Sequence, residues 1–432
     1  MKYFFIVILF LSGTLKGFSQ TLSLKDAINT ALKNSLDIQL SKNNVDANTI
    51  LNNYGVAGGM PLVTAGGTDN EQVTSIAQEY SDPSRNAKKP NTASNNLNAN
   101  LTGSILLFNG MRVVAAKKRL EQLQGQSEKL LNAQVQNTIA SVMTAYYDVV
   151  RQQNYIKTID LSINVAKQQL DIVKTRQSVG LANNADLFQA QLDLNNLEQT
   201  KNTQQLAIDQ ARTTLLTFMT VRPDSMVIVS DTIVADADLQ LPFILDNLDK
   251  NADIMAAGDQ VKINEQLVKE VSALRYPSLR ANGGFAFSRN TSAGGFTLLN
   301  QSYGPTVGVG VTIPIYNGSV YKRQKQVAEI NVNNAELQRK ILVRDYTAGA
   351  VKAYQAYQTA LQQIATAQKN FQLAQQLVDL VLLRFQLRQA TIVELKQAQE
   401  SFEAAAYTLT NLSYAAKSSE IELKRLANQL KF

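Results

Sequence analysis

The chain has neither cysteine nor histidine among its 432 residues. Without cysteine there is no disulfide and no lipid-modified N-terminal cysteine. Without either side chain, thiolate or imidazole metal sites, Ser/His/Asp triads and cysteine nucleophiles lose their usual ingredients. The 35 acidic residues leave carboxylate-pair chemistry open. They form no clustered site in the sequence, so no catalysis, metal or cofactor is expected. Long apolar runs are equally scarce. Tyr3 to Leu11, behind Lys2 and ahead of the small-x-small stretch Gly17-Phe18-Ser19, has the layout of a secretory signal. It is shorter than the roughly 17–25 residues that a spanning helix needs. Residues 1–19 therefore read as a cleaved signal peptide, and any membrane crossing falls to strands. The formal charge of +7 becomes +5 once Lys2 and Lys16 leave with the signal. Lysine and arginine are dispersed among acids along helical stretches, the pattern of a solvated face rather than of a nucleic-acid-binding patch.

What is present is written twice. Residues 106–219 fall on 314–427 at a shift of 208 without a gap. Asn109-Gly110 lands on Asn317-Gly318, Ala145-Tyr146 on Ala353-Tyr354, and Asp171, Val173 and Arg176 on Asp379, Val381 and Arg384. An upstream segment repeats at a shift of 216: Asp37-Ile38 meets Asp253-Ile254, Pro61 meets Pro277, and Gly67 meets Gly283. The loop between the two segments is therefore eight residues longer in the first copy. A duplication of this kind sets the whole architecture. Each copy predicts a medium helix (about 36–59 and 252–275), two strands (within about 61–107 and 277–316), a very long helix (about 109–177 and 317–386), and a returning helix (about 184–219 and 391–428). The domain reading is a signal at 1–19, a first repeat at 20–220, a linker at 221–251 and a second repeat at 252–432. The linker holds Pro223, Pro242 and a β-like run at Met226–Val234, read as a small extra layer beside the helices. The long helices rest on Ala, Gln, Leu, Lys and Glu windows almost free of Gly and Pro. At 1.5 Å per residue the longest reach roughly 100 Å.

The strands alternate. Leu97, Ala99, Leu101 and Ile105 are interleaved with Asn98, Asn100, Thr102 and Ser104. Leu279, Ala281, Phe285 and Phe287 are interleaved with Arg280, Asn282, Gly284 and Ser288. Val307, Val309, Val311 and Ile313 alternate with Thr306, Gly308, Gly310 and Thr312. The first strand, Pro61 to about Thr68, is shorter and weaker. Alternation over about 9–11 residues suits a tilted strand with lipid on one side and water on the other. It equally suits a soluble two-layer sheet. The secretory signal, the lack of a partner sheet, and Phe108 and Tyr316 as interfacial aromatics at matched strand ends favour the membrane. Four strands leave two open edges, which hydrocarbon does not tolerate, and the smallest membrane barrels use about eight. The subunit must therefore join copies of itself. Three copies close a twelve-stranded barrel, although the geometry does not force the number three. The expected fold is thus an α+β membrane protein that gives four strands to a trimeric barrel and long antiparallel helices to a tube below it.

At the first helix turn the chain reads Arg176-Gln-Ser-Val179-Gly180-Leu181-Ala182, then Asp186-Leu187 and Ala190. These residues resemble the hairpin tip of the TolC family of outer-membrane efflux proteins. Leu22-Ser-Leu-Lys-Asp-Ala-Ile, Ala31-Leu-Lys-Asn34, Phe108-Asn109-Gly110 and Tyr316-Asn317-Gly318 are similar to that family as well. The resemblance covers essentially the whole mature chain. It implies a homotrimer with a β-barrel in outer-membrane lipid and an α-helical barrel across the periplasm. It also implies helix tips that meet a periplasmic adaptor protein, which links the duct to an inner-membrane pump of RND or ABC type. On this reading Val179, Gly180, Leu181 and Ala182, with Leu387 and Arg388 at the second tip, form the docking surface. Gly180 also reads simply as a helix stop with the apolar pair stapling the turn. The resemblance implies a constriction ringed by acids at Asp186 and Glu394, with Arg176 and Arg384 holding the closed state through salt bridges. Gln397 occupies a further carboxylate position. The acids are equally well placed as helix N-terminal charges. Rival functions are an exit duct for type I protein secretion and an exported coiled-coil scaffold or adhesin. The latter needs no membrane-length strands and should keep a strict heptad.

Overall fold

The computed structural model describes residues 21–294 and 297–430, so the signal segment 1–19 lies outside the described residues. In chain order the elements are α1 (Leu24–Asn34), α2 (Leu36–Leu51), β1 (Leu62–Gln78), β2 (Ala87–Phe108), α3 (Arg112–Ser178), α4 (Asn184–Phe218), α5 (Leu241–Asn247), α6 (Ala252–Ala273), β3 (Ser278–Ser292), β4 (Leu299–Thr312), α7 (Val320–Gln386) and α8 (Ile392–Leu426). Both α3 and α7 are 67 residues long. Among the described residues no helix is long and apolar enough to cross a membrane. The chain divides into two compact units, each drawing on both copies of the repeat.

One unit comprises Ser41–Leu131 and Ala252–Leu342 and carries the sheet. Its four strands are antiparallel in the order β1-β2-β3-β4, which leaves β1 and β4 as open edges. The register sorts side chains by polarity. Ala65, Leu101, Phe285 and Pro305 form one row, and Gly67, Ala99, Phe287 and Tyr303 another on the same face. The opposite face carries Thr64, Thr102, Gly284 and Thr306, and further along a row of four asparagines, Asn70, Asn96, Asn290 and Asn300. Among the described residues no element covers the apolar face: Phe285 is 47% exposed, Val309 65% and Val307 91%. A soluble two-layer sheet would bury that face. From Tyr303 to Val311 the band runs about 26 Å along the strand, at roughly 3.3 Å per residue, close to the height of a membrane barrel's apolar belt.

β1 and β2 run well beyond the strand expected to end near Thr68. The extension pairs polar segments, with Glu71 opposite Asn95 and Ala77 opposite Lys88. A ladder of main-chain hydrogen bonds needs no apolar alternation, so this part of the hairpin carries no period-2 signal. The medium helix of the first copy ends at Leu51 instead of near 59. The Asn53 side chain accepts from the N–H groups of Gly55 (2.7 Å) and Val56 (3.1 Å), and Gly58 takes a positive φ, so local turns displace the last helical turns.

The other unit comprises residues up to Leu40, Asn132–Asn251 and Val343 onward. Ala27, Ile28 and Ala31 of α1 pack with Val142, Tyr146 and Val149 of α3, Leu215 of α4 and Ile421 of α8. The linker closes this core with Val229, while Val221, Val227 and Ile233 pack against it. Met226–Val234 forms no strand; its one ladder contact is a parallel bridge between Thr21 and Ile228. Tyrosine hydroxyls hold the linker instead. Tyr146, fully buried, donates to Asp231 and lies 2.9 Å from the Leu22 carbonyl oxygen, and Tyr357 donates to the Asp236 carbonyl. Burial and the Asp231 carboxylate push the Tyr146 hydroxyl far above its ordinary pKa, so it remains a donor.

Candidate functional site

The two hairpin tips share one apolar cluster, in which Val173 of α3, Ala190 of α4, Val381 and Phe385 of α7, and Leu395 of α8 are buried together. Both long helices end in the same backbone motif. At the first, Leu181 N–H donates to the Arg176 carbonyl (2.7 Å) and Gly180 N–H to Gln177 (2.9 Å), with Gly180 at φ +76°. At the second, Gln389 N–H donates to Arg384 (2.8 Å) and Arg388 N–H to Phe385 (3.2 Å), with Arg388 at φ +64°. This is the Schellman closure, which wants a left-handed residue. Arg388 therefore keeps the backbone that glycine gives the first tip, and the tips differ there in side chain and charge only. Holding a non-glycine residue left-handed costs roughly 1–2 kcal/mol.

The acids have defined local partners. Asp186 and Glu394 each sit at the third helical position of a capping box, with Asn183 and Thr391 as caps. The Glu394 carboxylate accepts from the main-chain N–H of Thr391 (2.6 Å) and from its hydroxyl (3.0 Å). These bonds, aided by the Arg384 charge, hold its pKa below the ordinary carboxylate value. A depressed pKa means the box stabilises α8 at neutral pH and is lost as pH falls through the lowered value. We expect Asn183→Ala and Thr391→Ala each to cost about 1 kcal/mol of local helix stability. Faster amide exchange over the first turns of α4 or α8 will report it, and in Thr391→Ala the acid sensitivity of α8 will shrink.

Within the single chain the arginines bind main-chain oxygens. Arg176 donates to the Phe385 main-chain carbonyl and lies over the Phe385 ring at 4.5 Å, tying one hairpin to the other. Burial and the neighbouring Arg388 charge lower its pKa. Arg384 donates to the Gln389 carbonyl at 2.9 Å. Both thus bind main-chain oxygens within one chain. Val179, Leu181, Leu387 and Arg388 are exposed, whereas Ala182 packs partly against the apolar cluster. Exposed Phe188 and Val393 extend the apolar surface, and sequence reasoning missed them along with Phe385. The capping spacing, Asn183-x-x-Asp186 and Thr391-x-x-Glu394, was a readable signal.

A family model described as outer membrane efflux protein matches residues 27–220 and 244–429. The chain belongs to the outer membrane efflux protein family. The efflux protein BepC of Brucella suis biovar 1 (strain 1330) is 24% identical over 321 residues, which cover 72% of this chain and 67% of BepC. Among solved structures, VceC of Vibrio cholerae superposes with a TM-score of 0.78 at 18% identity, over 94% of this chain and 96% of VceC. The Campylobacter jejuni CmeC outer membrane channel gives 0.77 at 16% identity, over 96% and 91%. As an outer membrane efflux protein, the chain is a passive channel component rather than an enzyme. It resides in the outer membrane with a large helical portion in the periplasm.

Proposed function

We propose that three copies of this chain form the exit duct of a tripartite efflux system, opened at its periplasmic tips by an adaptor protein. The observation that carries this reading is the sheet with two open edges and a bare apolar face. Such a sheet is compatible with outer-membrane lipid only when copies join edge to edge into a closed barrel. The adaptor docks on Val179, Gly180 and Leu181 at one tip and on Leu387 and Arg388 at the other, and links the duct to an inner-membrane pump of RND or ABC type. Asp186 and Glu394 ring the constriction, where repeated carboxylates favour cations. Arg176 and Arg384 hold the closed state through their main-chain bonds, and adaptor contact shifts the population toward open tips. Conductance in planar bilayers tests this. Asp186→Asn with Glu394→Gln should lower cation preference and change closure; an unchanged channel would remove the gating role from both acids. Val179→Asp with Leu181→Asp should abolish export in cells while the purified channel conducts normally.

A further inference from the structure

We propose that Arg280 forms an oxyanion-binding ring in the wall of the duct, a site for exported solutes that carry carboxylate or phosphate groups. This rests on the reading that copies close edge to edge, with the apolar face of the sheet toward lipid and the polar face toward the lumen.

The polar face is almost free of charge. From the pair Ser278–Thr312 to the pair Ser94–Ser292, its rows carry one ionic group, the Arg280 guanidinium. Asp69, Glu71 and Arg289 all stand on the other face. Arg280 pairs with Leu106 on one side and Gly310 on the other, two residues from the start of β3. That is the end of the sheet from which α3 and α7 leave. The side chain is exposed, and among the described residues it has no ion pair.

The neighbouring strand leaves it room. A Cβ at Gly308 would meet nothing within 4 Å, and one at Gly310 would first meet the Asn282 amide nitrogen at 3.9 Å. Asn282 lies two residues along β3 on the same face, and Ser278 lies two residues back, opposite Thr312. A guanidinium fork, an amide and two hydroxyls beside a glycine floor are donors suited to carboxylate or phosphate oxygens. A lone arginine on a wet face is ordinarily no more than solvated. Here no carboxylate on that face cancels it, each copy repeats it at one height, and lipid behind the wall confines its field to the lumen. Rings of arginine favour anions. The sign is opposite to that of Asp186 and Glu394, which belong to the other unit. The duct thus carries a separate element for each sign of charge.

Reversal potentials of the assembled full-length channel in neutral bilayers test this, under a potassium chloride gradient at low salt where screening is weak. Arg280→Gln should raise the potassium-to-chloride permeability ratio about two- to fivefold, while Arg280→Lys keeps it near wild type. An unchanged ratio in Arg280→Gln overturns the proposal. Because the chain lacks cysteine, Arg280→Cys offers a single thiol for modification in the assembled channel. A cationic methanethiosulfonate should restore the wild-type ratio, and an anionic one should drive it further toward potassium. No response to either reagent overturns the placement in the lumen. Inorganic phosphate should reduce the wild-type current and spare that of Arg280→Gln; equal reduction in both overturns the oxyanion site. A wild-type native mass of one chain, with no channel activity, overturns the closed assembly itself.

Discussion

Val309→Arg is expected to eliminate the protein from the outer membrane, whereas Thr306→Arg should leave its amount and assembly close to wild type. The two positions lie three residues apart on β4 and on opposite faces of the sheet. Val309 belongs to the bare apolar band with Ala281 and Ile105; Thr306 shares the polar face with Gly284 and Thr102. An arginine facing lipid near the bilayer midplane costs about 2–4 kcal/mol, and every copy in the proposed barrel would bear it. The same residue on the polar face meets water. Membrane fractionation with heat-modifiable migration on gels reads both outcomes. Equal loss in the two variants would mean the faces are assigned wrongly.

A comparable loss should follow Glu420→Leu in the helical unit. Glu420 is 2% exposed and accepts from Lys417 (3.0 Å), Lys424 (2.7 Å) and the main-chain N–H of Asp236 (2.9 Å). Lys417 is itself buried and lies 5.3 Å from the centre of the Tyr147 ring. Removing the carboxylate leaves a buried ammonium without its counter-ion, a change that destabilises by about 3–5 kcal/mol. It also frees the linker at Asp236. Lys417→Met in the Glu420→Leu background should regain most of the loss, because an apolar substitute needs no partner. Thermal unfolding of the three proteins measures this directly.

The α-helical part of the fold was legible because its signals are local. Windows almost free of Gly and Pro placed α3 and α7 within three residues of their observed ends at 112–178 and 320–386. Gly180 marked the first turn through its own backbone preference. The sheet was legible where one face is apolar, as at Leu97–Ile105, and silent where both faces are polar, as at Glu71 against Asn95. Met226–Val234 has strand composition but, among the described residues, only Thr21 forms a bridge with it, and the Tyr146 hydroxyl binds its Asp231. Composition reports propensity; pairing needs a neighbour. At the tips, the helix-start placement of Asp186 and Glu394 was legible, whereas the main-chain partners of the arginines were not. Arg176 looked like half of a salt bridge, and only three-dimensional packing brings the Phe385 carbonyl and ring beneath it.

The open edges also bear on how the molecule comes into being. In a lone chain the rows of main-chain donors and acceptors on β1 and β4 stay unanswered, and in the proposed closed assembly sister chains pair with them. On that proposal, maturation of the membrane half is a collision-dependent reaction whose yield should rise with the local abundance of newly exported chains. Scarce subunits would linger with adhesive borders that any extended polypeptide can cap.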